Sequence, residues 1–131
     1  MITARFEGLQ EAWIDGDDSA RWRSTPAHAG AASGSSLLEV APGCRLPRHT
    51  DSAEESVVVL AGTAEIDVGG ERATIGPGGI ALVPREVPHE VRNAGEQTLR
   101  FAAVYASPDV LTRYEAEVQP GGERERPSTP S

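Results

Sequence analysis

The stretch from residue 43 to residue 62 constrains the fold of this 131-residue chain more than any other segment. It ends in the apolar run VVVLA at residues 57 to 61, and a run of this kind before a glycine predicts a strand buried on both faces. Upstream, alternate residues of an extended chain point to the same side. His49 and Asp51 would therefore share one face, and Glu55 would join them if the strand resumes in phase. The stretch predicts a polar wall beside a buried strand.

A second histidine, His89, follows a segment in which Pro84 and Pro88 bracket a turn. This arrangement predicts that His89 begins another strand. Imidazole nitrogens and carboxylate oxygens together are a usual ligand set for iron, manganese, nickel, zinc or copper. The alternative is that these residues are ordinary polar residues near turns, because short motifs of this kind often match by chance.

Strand-like segments follow one another at even spacing along most of the chain. Residues 64 to 68 alternate, Gly69-Gly70 predicts a two-residue hairpin turn, and residues 98 to 105 form a further strand-like segment. Strands at this spacing indicate a β sandwich or barrel. We further predict N-terminal strands at residues 2 to 6, 9 to 14 and 20 to 24, a short helical turn or edge strand within residues 108 to 118, and a mobile tail from about residue 119.

Composition narrows the classes of partner. The formal net charge of −8 argues against nucleic acid and against an anionic membrane surface, since both select clustered lysine and arginine. The chain has one cysteine, so it cannot form an intrachain disulfide. No stretch approaches the ~18 apolar residues of a membrane span, and no signal peptide is evident. We therefore expect a soluble cytoplasmic protein of one domain.

Two motifs resemble those of the cupin family, which read G-x5-H-x-H-x(3 or 4)-E-x6-G and G-x5-P-x-G-x2-H-x3-N. The corresponding residues here are Gly43, His49, Asp51, Glu55 and Gly62 in the first motif, and Gly78, Pro84, Glu86, His89 and Asn93 in the second. Asp51 stands where the family has its second histidine. Glu86 stands where the family has glycine, and it would cost about 1 kcal/mol if that position needs a positive φ.

The resemblance implies an all-β, single-domain fold, the double-stranded β-helix or jelly roll. Residues 37 to 107 would form this barrel, residues 1 to 36 an N-terminal region that forms a homodimer, and residues 108 to 131 a C-terminal segment. It also implies one divalent transition metal per chain, bound by His49, Asp51, Glu55 and His89. Two carboxylates would make this ion a weaker Lewis acid than one held by three histidines.

Two alternatives stay open for the ligands. Asp51 could lie behind the ligands as a hydrogen-bond acceptor, which would leave His49, Glu55 and His89 as a set of two histidines and one carboxylate typical of non-haem iron. The replacement of the family's histidine by Asp51 could also have abolished metal binding, which would leave a pocket for a small molecule.

Three functions follow from the resemblance. The first is an oxidoreductase of dioxygenase type, in which Glu55 serves as ligand and catalytic base. The second is a non-oxidative metal-dependent cyclase, isomerase or decarboxylase. The third is a non-catalytic cupin that binds a small molecule. Because ligands are kept in both motifs, we expect an enzyme, and the dioxygenase is the leading hypothesis.

Overall fold

The computed structural model describes residues 1–8, 11–16 and 18–130. These residues form one 3₁₀ turn, Phe6–Gly8, and two antiparallel sheets of six strands each. The strands are β1 (Ile14–Asp15), β2 (Arg21–Ala29), β3 (Gly34–Val40), β4 (Arg45–Asp51), β5 (Glu55–Ala61), β6 (Ala64–Val68), β7 (Glu71–Ile75), β8 (Ile80–Val83), β9 (His89–Asn93), β10 (Leu99–Tyr105), β11 (Leu111–Val118) and β12 (Glu123–Pro127).

The strand order is β1-β2-β3-β10-β5-β8 in the first sheet and β12-β11-β4-β9-β6-β7 in the second. Most neighbours in each sheet are distant in sequence, which is the connectivity of a jelly roll. The predicted all-β, single-domain jelly roll is confirmed. No helix among the described residues is long and apolar enough to cross a membrane.

The core lies between the sheets and is built by alternation along the strands. In β10, the side chains of Leu99, Phe101, Ala103 and Tyr105 are buried, whereas the residues between them are more exposed. The strand β5 follows the same pattern, and its Leu60 is 52% exposed. The prediction that this strand is buried on both faces is therefore wrong, because an antiparallel sheet of a sandwich covers the core with one face only.

The N-terminal region is less regular than predicted. Residues 2 to 5 form no strand, and of the segment from 9 to 14 only Ile14 belongs to one, while residues 9 and 10 lie outside the described residues. The aromatic side chains stack on arginines of the first sheet instead. The ring of Phe6 lies 5.5 Å from the guanidinium carbon of Arg100, and the ring of Trp13 lies 4.9 Å from that of Arg23. Cation–π contacts thus replace the expected strand pairing.

The C-terminal region is more regular than predicted. The strand β11 lies inside the second sheet, between β4 and β12, and is neither helical nor an edge strand. The expectation of a mobile tail from about residue 119 is corrected by β12, which pairs with β11. The tail lacks large apolar side chains, but hydrogen bonds hold it: the Ser128 N–H donates to the Val110 carbonyl (2.9 Å) and the Val110 N–H donates to Thr129 Oγ1 (3.0 Å).

Three turns show why the motif residues are where they are. The predicted hairpin between β6 and β7 is confirmed, with Gly69 and Gly70 at φ values of +58° and +94°. Glu86 has a φ of +62°, so the strain predicted for this position is present. The buried Asn93 donates to the carbonyls of Val40 (3.0 Å) and Gln97 (2.7 Å), and it thereby fixes the turn into β10.

Candidate metal centre

The structure brings the four candidate ligands together between the sheets. His49 and Asp51 stand two residues apart on β4, as predicted from strand alternation, and both are buried. His89, the first residue of β9, is the direct cross-strand partner of His49, after a register shift between Leu46 and His49. Glu55, the first residue of β5, comes from the opposite sheet. Three of the four residues therefore lie on one sheet.

Backbone carbonyls fix the orientation of both imidazoles. His49 Nδ1 lies 2.7 Å from the Pro47 carbonyl oxygen, and His89 Nδ1 lies 2.9 Å from that of Val87. A carbonyl only accepts, so each Nδ1 carries the proton and donates it. Each Nε2 is then free to bind a metal, which is the arrangement that metal-binding histidines usually show.

The donor atoms converge on Asp51. Its Oδ2 lies 3.7 Å from His49 Nε2 and 3.1 Å from His89 Nε2, while Glu55 Oε1 lies 3.2 Å from His89 Nε2. The ligand atoms of His49, Asp51 and His89 all lie within 4.8 Å of one another. Glu55 does not belong to this group and contacts it through His89.

The hydrogen-bond geometry of three buried ligand atoms fits a metal ion. Asp51 Oδ2, Glu55 Oε1 and His89 Nε2 are buried and form no hydrogen bond of normal geometry with any of the described residues. Their contacts of 3.1 and 3.2 Å pair charges, but buried polar atoms without well-formed hydrogen bonds are costly. A divalent cation would satisfy all three, because imidazole nitrogen and carboxylate oxygen are both good ligands for transition metals.

Two residues that the sequence did not reveal contact the site. Thr112 Oγ1 donates to Asp51 Oδ1 (2.5 Å), and the ring of Tyr114 lies 5.7 Å from that of His49. Both residues lie on β11, directly opposite Asp51 and His49. A β-branched and an aromatic residue two positions apart, Thr112 and Tyr114, were the signal that could have suggested a strand here.

The four groups perturb one another's pKa values in the metal-free protein. Burial lowers the pKa of His49 to about 4, and the charge of His89 adds to this effect. Burial opposes the charge on His89, but Asp51 and Glu55 outweigh it and raise the pKa of His89 to about 10. Burial also opposes the charge on Asp51, but His89 and His49 outweigh it and lower the pKa of Asp51 to about 2.

Glu55 behaves differently from Asp51. Burial raises the pKa of Glu55 to about 7, an effect that His89 partly offsets and the negative charge of Asp51 reinforces. Two carboxylates in one site thus have pKa values on opposite sides of the usual range. Such a separation is typical of acid–base pairs in active sites.

Little free space surrounds these groups. The cavity that the four residues line has a volume of about 10 Å³, which is room for about one water molecule and far too little for an organic molecule. A cleft of about 500 Å³ lies outside it. Ser24, Tyr114 and Ser128 line both spaces and form the wall between them.

Comparisons with known proteins agree with this architecture. The chain is 37% identical to Protein SchB of Streptomyces halstedii over 79 residues, which make up 59% of this chain and 57% of SchB. The matched segment therefore spans less than two thirds of that relative.

Two solved structures share the fold. The cupin domain of Schizosaccharomyces pombe Cnp3 superposes with a TM-score of 0.65 at 16% identity, covering 80% of this chain and 73% of the domain. A putative sugar phosphate isomerase from Acidithiobacillus ferrooxidans superposes with a TM-score of 0.64 at 19% identity, covering 97% and 90%. At these identities the likeness establishes the fold only. The family model for the cupin domain matches residues 36–105, more than half of the sequence, and the chain belongs to the cupin family.

Proposed function

We propose that this protein is a mononuclear metal-dependent enzyme of dioxygenase type that acts on a small organic molecule. His49, Asp51 and His89 hold one divalent transition metal, and Glu55 is a fourth ligand or an acid–base group. The observation that carries the proposal is the convergence of two Nε2 atoms and one carboxylate oxygen within 4.8 Å. Two histidines and one carboxylate with open positions are typical of non-haem Fe(II) oxygenases.

The ion would supply Lewis acidity and open coordination positions for substrate and O₂. The residues of the chain orient the metal ligands and exclude water from them. The carbonyls of Pro47 and Val87 hold the imidazoles, and Thr112 holds Asp51. The small cavity keeps bulk water away from the ligands.

Glu55 is suited to proton transfer. In the metal-free protein burial raises its pKa to about 7, so near neutral pH this carboxyl exists there both as a base and as an acid. It also stands on the opposite sheet, facing the ligand group across the interior. We propose that Glu55 takes a proton from an enolisable or catecholic substrate.

Access to the metal comes from the outer cleft in this proposal. The cavity of about 10 Å³ admits no organic substrate, whereas the cleft of about 500 Å³ does. The two are separated by the side chains of Ser24, Tyr114 and Ser128. Movement of these three side chains would bring a substrate bound in the cleft to the metal.

A second candidate is a non-oxidative isomerase, decarboxylase or cyclase. The near-neutral pKa of Glu55 in the metal-free protein is compatible with it as well, because such a reaction needs a base that takes up and returns a proton. The putative isomerase with the same fold is compatible with this candidate.

Metal content tests the common part of both candidates. We would measure metals in protein purified without an affinity tag, beside His89→Ala, Asp51→Asn and the control His28→Ala. His28 Nδ1 forms a hydrogen bond with Ser35 Oγ (2.5 Å), and His28 does not line the cavity. We expect one metal per chain, lost in His89→Ala, weakened in Asp51→Asn and kept in the control. No binding after reconstitution with Mn, Fe(II), Ni and Zn would refute the proposal.

Oxygen uptake separates the two candidates. The metal-loaded protein would be offered small enediols, β-diketones and catechols in an oxygen electrode and in anaerobic buffer. Consumption of O₂ with loss of turnover in anaerobic buffer supports the dioxygenase. Turnover that is equal without O₂ supports the non-oxidative candidate.

We also propose that the protein is a cytoplasmic homodimer. The sequence suggested residues 1 to 36 as the dimer-forming region, whereas the surface that supports a dimer here lies on the outer face of β5, β8 and β10. It exposes four apolar side chains, Leu60, Ile80, Leu82 and Val104, with exposed fractions from 45% to 65%. Apolar surface of this kind often marks an interface between copies. A single light-scattering mass near 13.8 kDa would contradict the dimer.

A further inference from the structure

We infer that Thr112 and Ser128 position Asp51, so that the C-terminal segment, residues 119 to 130, is a working part of the metal centre. The inference rests on the proposed function only in that Asp51 binds a metal. Both residues lie outside the span that the family model matches, which ends at residue 105.

The contact between Thr112 and Asp51 is direct and buried. Thr112 Oγ1 donates to Asp51 Oδ1 at 2.5 Å, and both residues are 3% exposed. The two residues are also cross-strand partners in β11 and β4. Because one carboxylate oxygen is held in this way, the other, Oδ2, faces the two histidines. Thr112 therefore makes Asp51 a ligand with a single available oxygen.

Ser128 adds a second hydrogen bond to the Thr112 hydroxyl. Its hydroxyl is hydrogen-bonded to Thr112 Oγ1 in the buried interior. A threonine hydroxyl has one proton, and Thr112 gives it to Asp51, so Ser128 must be the donor in this bond. Ser128 therefore donates to Thr112, and Thr112 donates to Asp51. In such a chain each hydrogen bond strengthens the next one. Loss of the Ser128 hydroxyl would leave Thr112 free to turn away from the carboxylate.

Ser128 is held through its own backbone, and Thr129 is a separate anchor of the segment. Its N–H donates to the Val110 carbonyl, and Thr129 Oγ1 accepts from the Val110 N–H. Thr129 fits against Gly34, where a Cβ would lie 2.5 Å from Thr129 Cγ2. Thr129 thus anchors the segment without touching Asp51. Thr129→Val provides a matched control, because it removes one anchor of the segment but keeps the Ser128 N–H bond to Val110 and both hydroxyl contacts.

The test compares four variants of the full chain: Thr112→Val, Thr112→Ser, Ser128→Ala and Thr129→Val. For each we would measure Co²⁺ affinity by chelator competition, the visible absorption of the Co²⁺ form, and the melting temperature of the metal-free form. Loss of an outer-shell partner typically weakens metal affinity about 10–100-fold. We expect this loss in Thr112→Val, a smaller loss of at least about threefold in Ser128→Ala, and recovery to nearly wild-type affinity in Thr112→Ser.

Thr129→Val is expected to lower the melting temperature with Co²⁺ affinity and spectrum unchanged. A changed spectrum in Thr112→Val and Ser128→Ala alone would support positioning, since Thr129→Val also loses buried contacts but none to Asp51. Wild-type Co²⁺ affinity and spectrum in both hydroxyl variants would overturn this inference alone, as would equal effects of Ser128→Ala and Thr129→Val. No Co²⁺ binding by the wild type would overturn it together with the proposed function.

Discussion

Metal binding should displace protons from the buried site, and the number displaced should depend on pH. The pKa of His89 is about 10 in the metal-free protein, so its Nε2 carries a proton near neutral pH that a metal must displace. The pKa of Glu55 is about 7, so this carboxyl is mostly protonated at about pH 5.5 and mostly ionised at about pH 8. Asp51 and His49, with pKa values of about 2 and about 4, have already lost their protons.

The count follows from these values. At about pH 8 we expect roughly one proton per metal ion, from His89. At about pH 5.5 we expect roughly two if Glu55 is a ligand and roughly one if it stays protonated. Because protons compete with the metal, affinity falls as the pH falls, by about tenfold per pH unit for each proton displaced.

Calorimetry with Ni²⁺ in two buffers of different ionisation enthalpy measures this count, since water bound to Ni²⁺ keeps its protons in this range. The control His28→Ala should give the wild-type count, because His28 is bonded to Ser35 away from the cavity. Release of no proton at about pH 8, or affinity that rises as the pH falls, would refute the protonated His89.

Three further predictions concern the fold around the site. Phe101 is fully buried and lines the cavity, so Phe101→Ala should lower the free energy of unfolding in a urea titration by about 3–5 kcal/mol; a loss below about 1 kcal/mol would contradict the packing. Glu86→Gly should keep or raise the melting temperature, because glycine tolerates the φ of +62°, whereas Glu86→Val should lower the free energy of unfolding by about 1–3 kcal/mol; equal stability of the two variants would exclude strain. Gly34→Ala should cost about 1–3 kcal/mol, because its Cβ would also lie 2.9 Å from the Ser107 carbonyl oxygen. The control Gly76→Ala, with no described atom within 4 Å, should change the stability by less than about 0.5 kcal/mol, and equal losses in the two would contradict the close contact at Gly34.

The sequence predicted the barrel and the meeting of its four polar residues well, for a physical reason. Strand alternation places His49 and Asp51 on one face, and the turn before His89 starts a strand at the right point. These are local rules that depend on a few neighbouring residues. The pairing of His49 with His89 then needs only the correct order of strands, which the motif spacing implies.

The sequence could not predict Thr112 or Ser128. The bond between Thr112 and Asp51 joins residues 61 positions apart, and no periodicity records such a contact. The tail was misjudged because its sequence offers nothing to a hydrophobic core, whereas hydrogen bonds to Val110 and pairing with β11 hold it. In the same way, the apolar run of β5 reveals a strand but not which of its residues face solvent.

The placement of Glu55 on the sheet opposite the other three residues connects metal binding with the rigidity of the barrel. His49, Asp51 and His89 belong to one sheet and Glu55 to the other, and the interior between the sheets is filled largely by apolar side chains, with the bond from Asn93 to the Val40 carbonyl as one polar link. An ion bound by all four residues would link the two sheets through metal–ligand bonds. An ion bound only by His49, Asp51 and His89 would not link the two sheets. Glu55 would then be a neighbour of the metal and not one of its ligands. Whether Glu55 binds the metal therefore determines both its availability as an acid–base group and the rigidity with which the two sheets are held together.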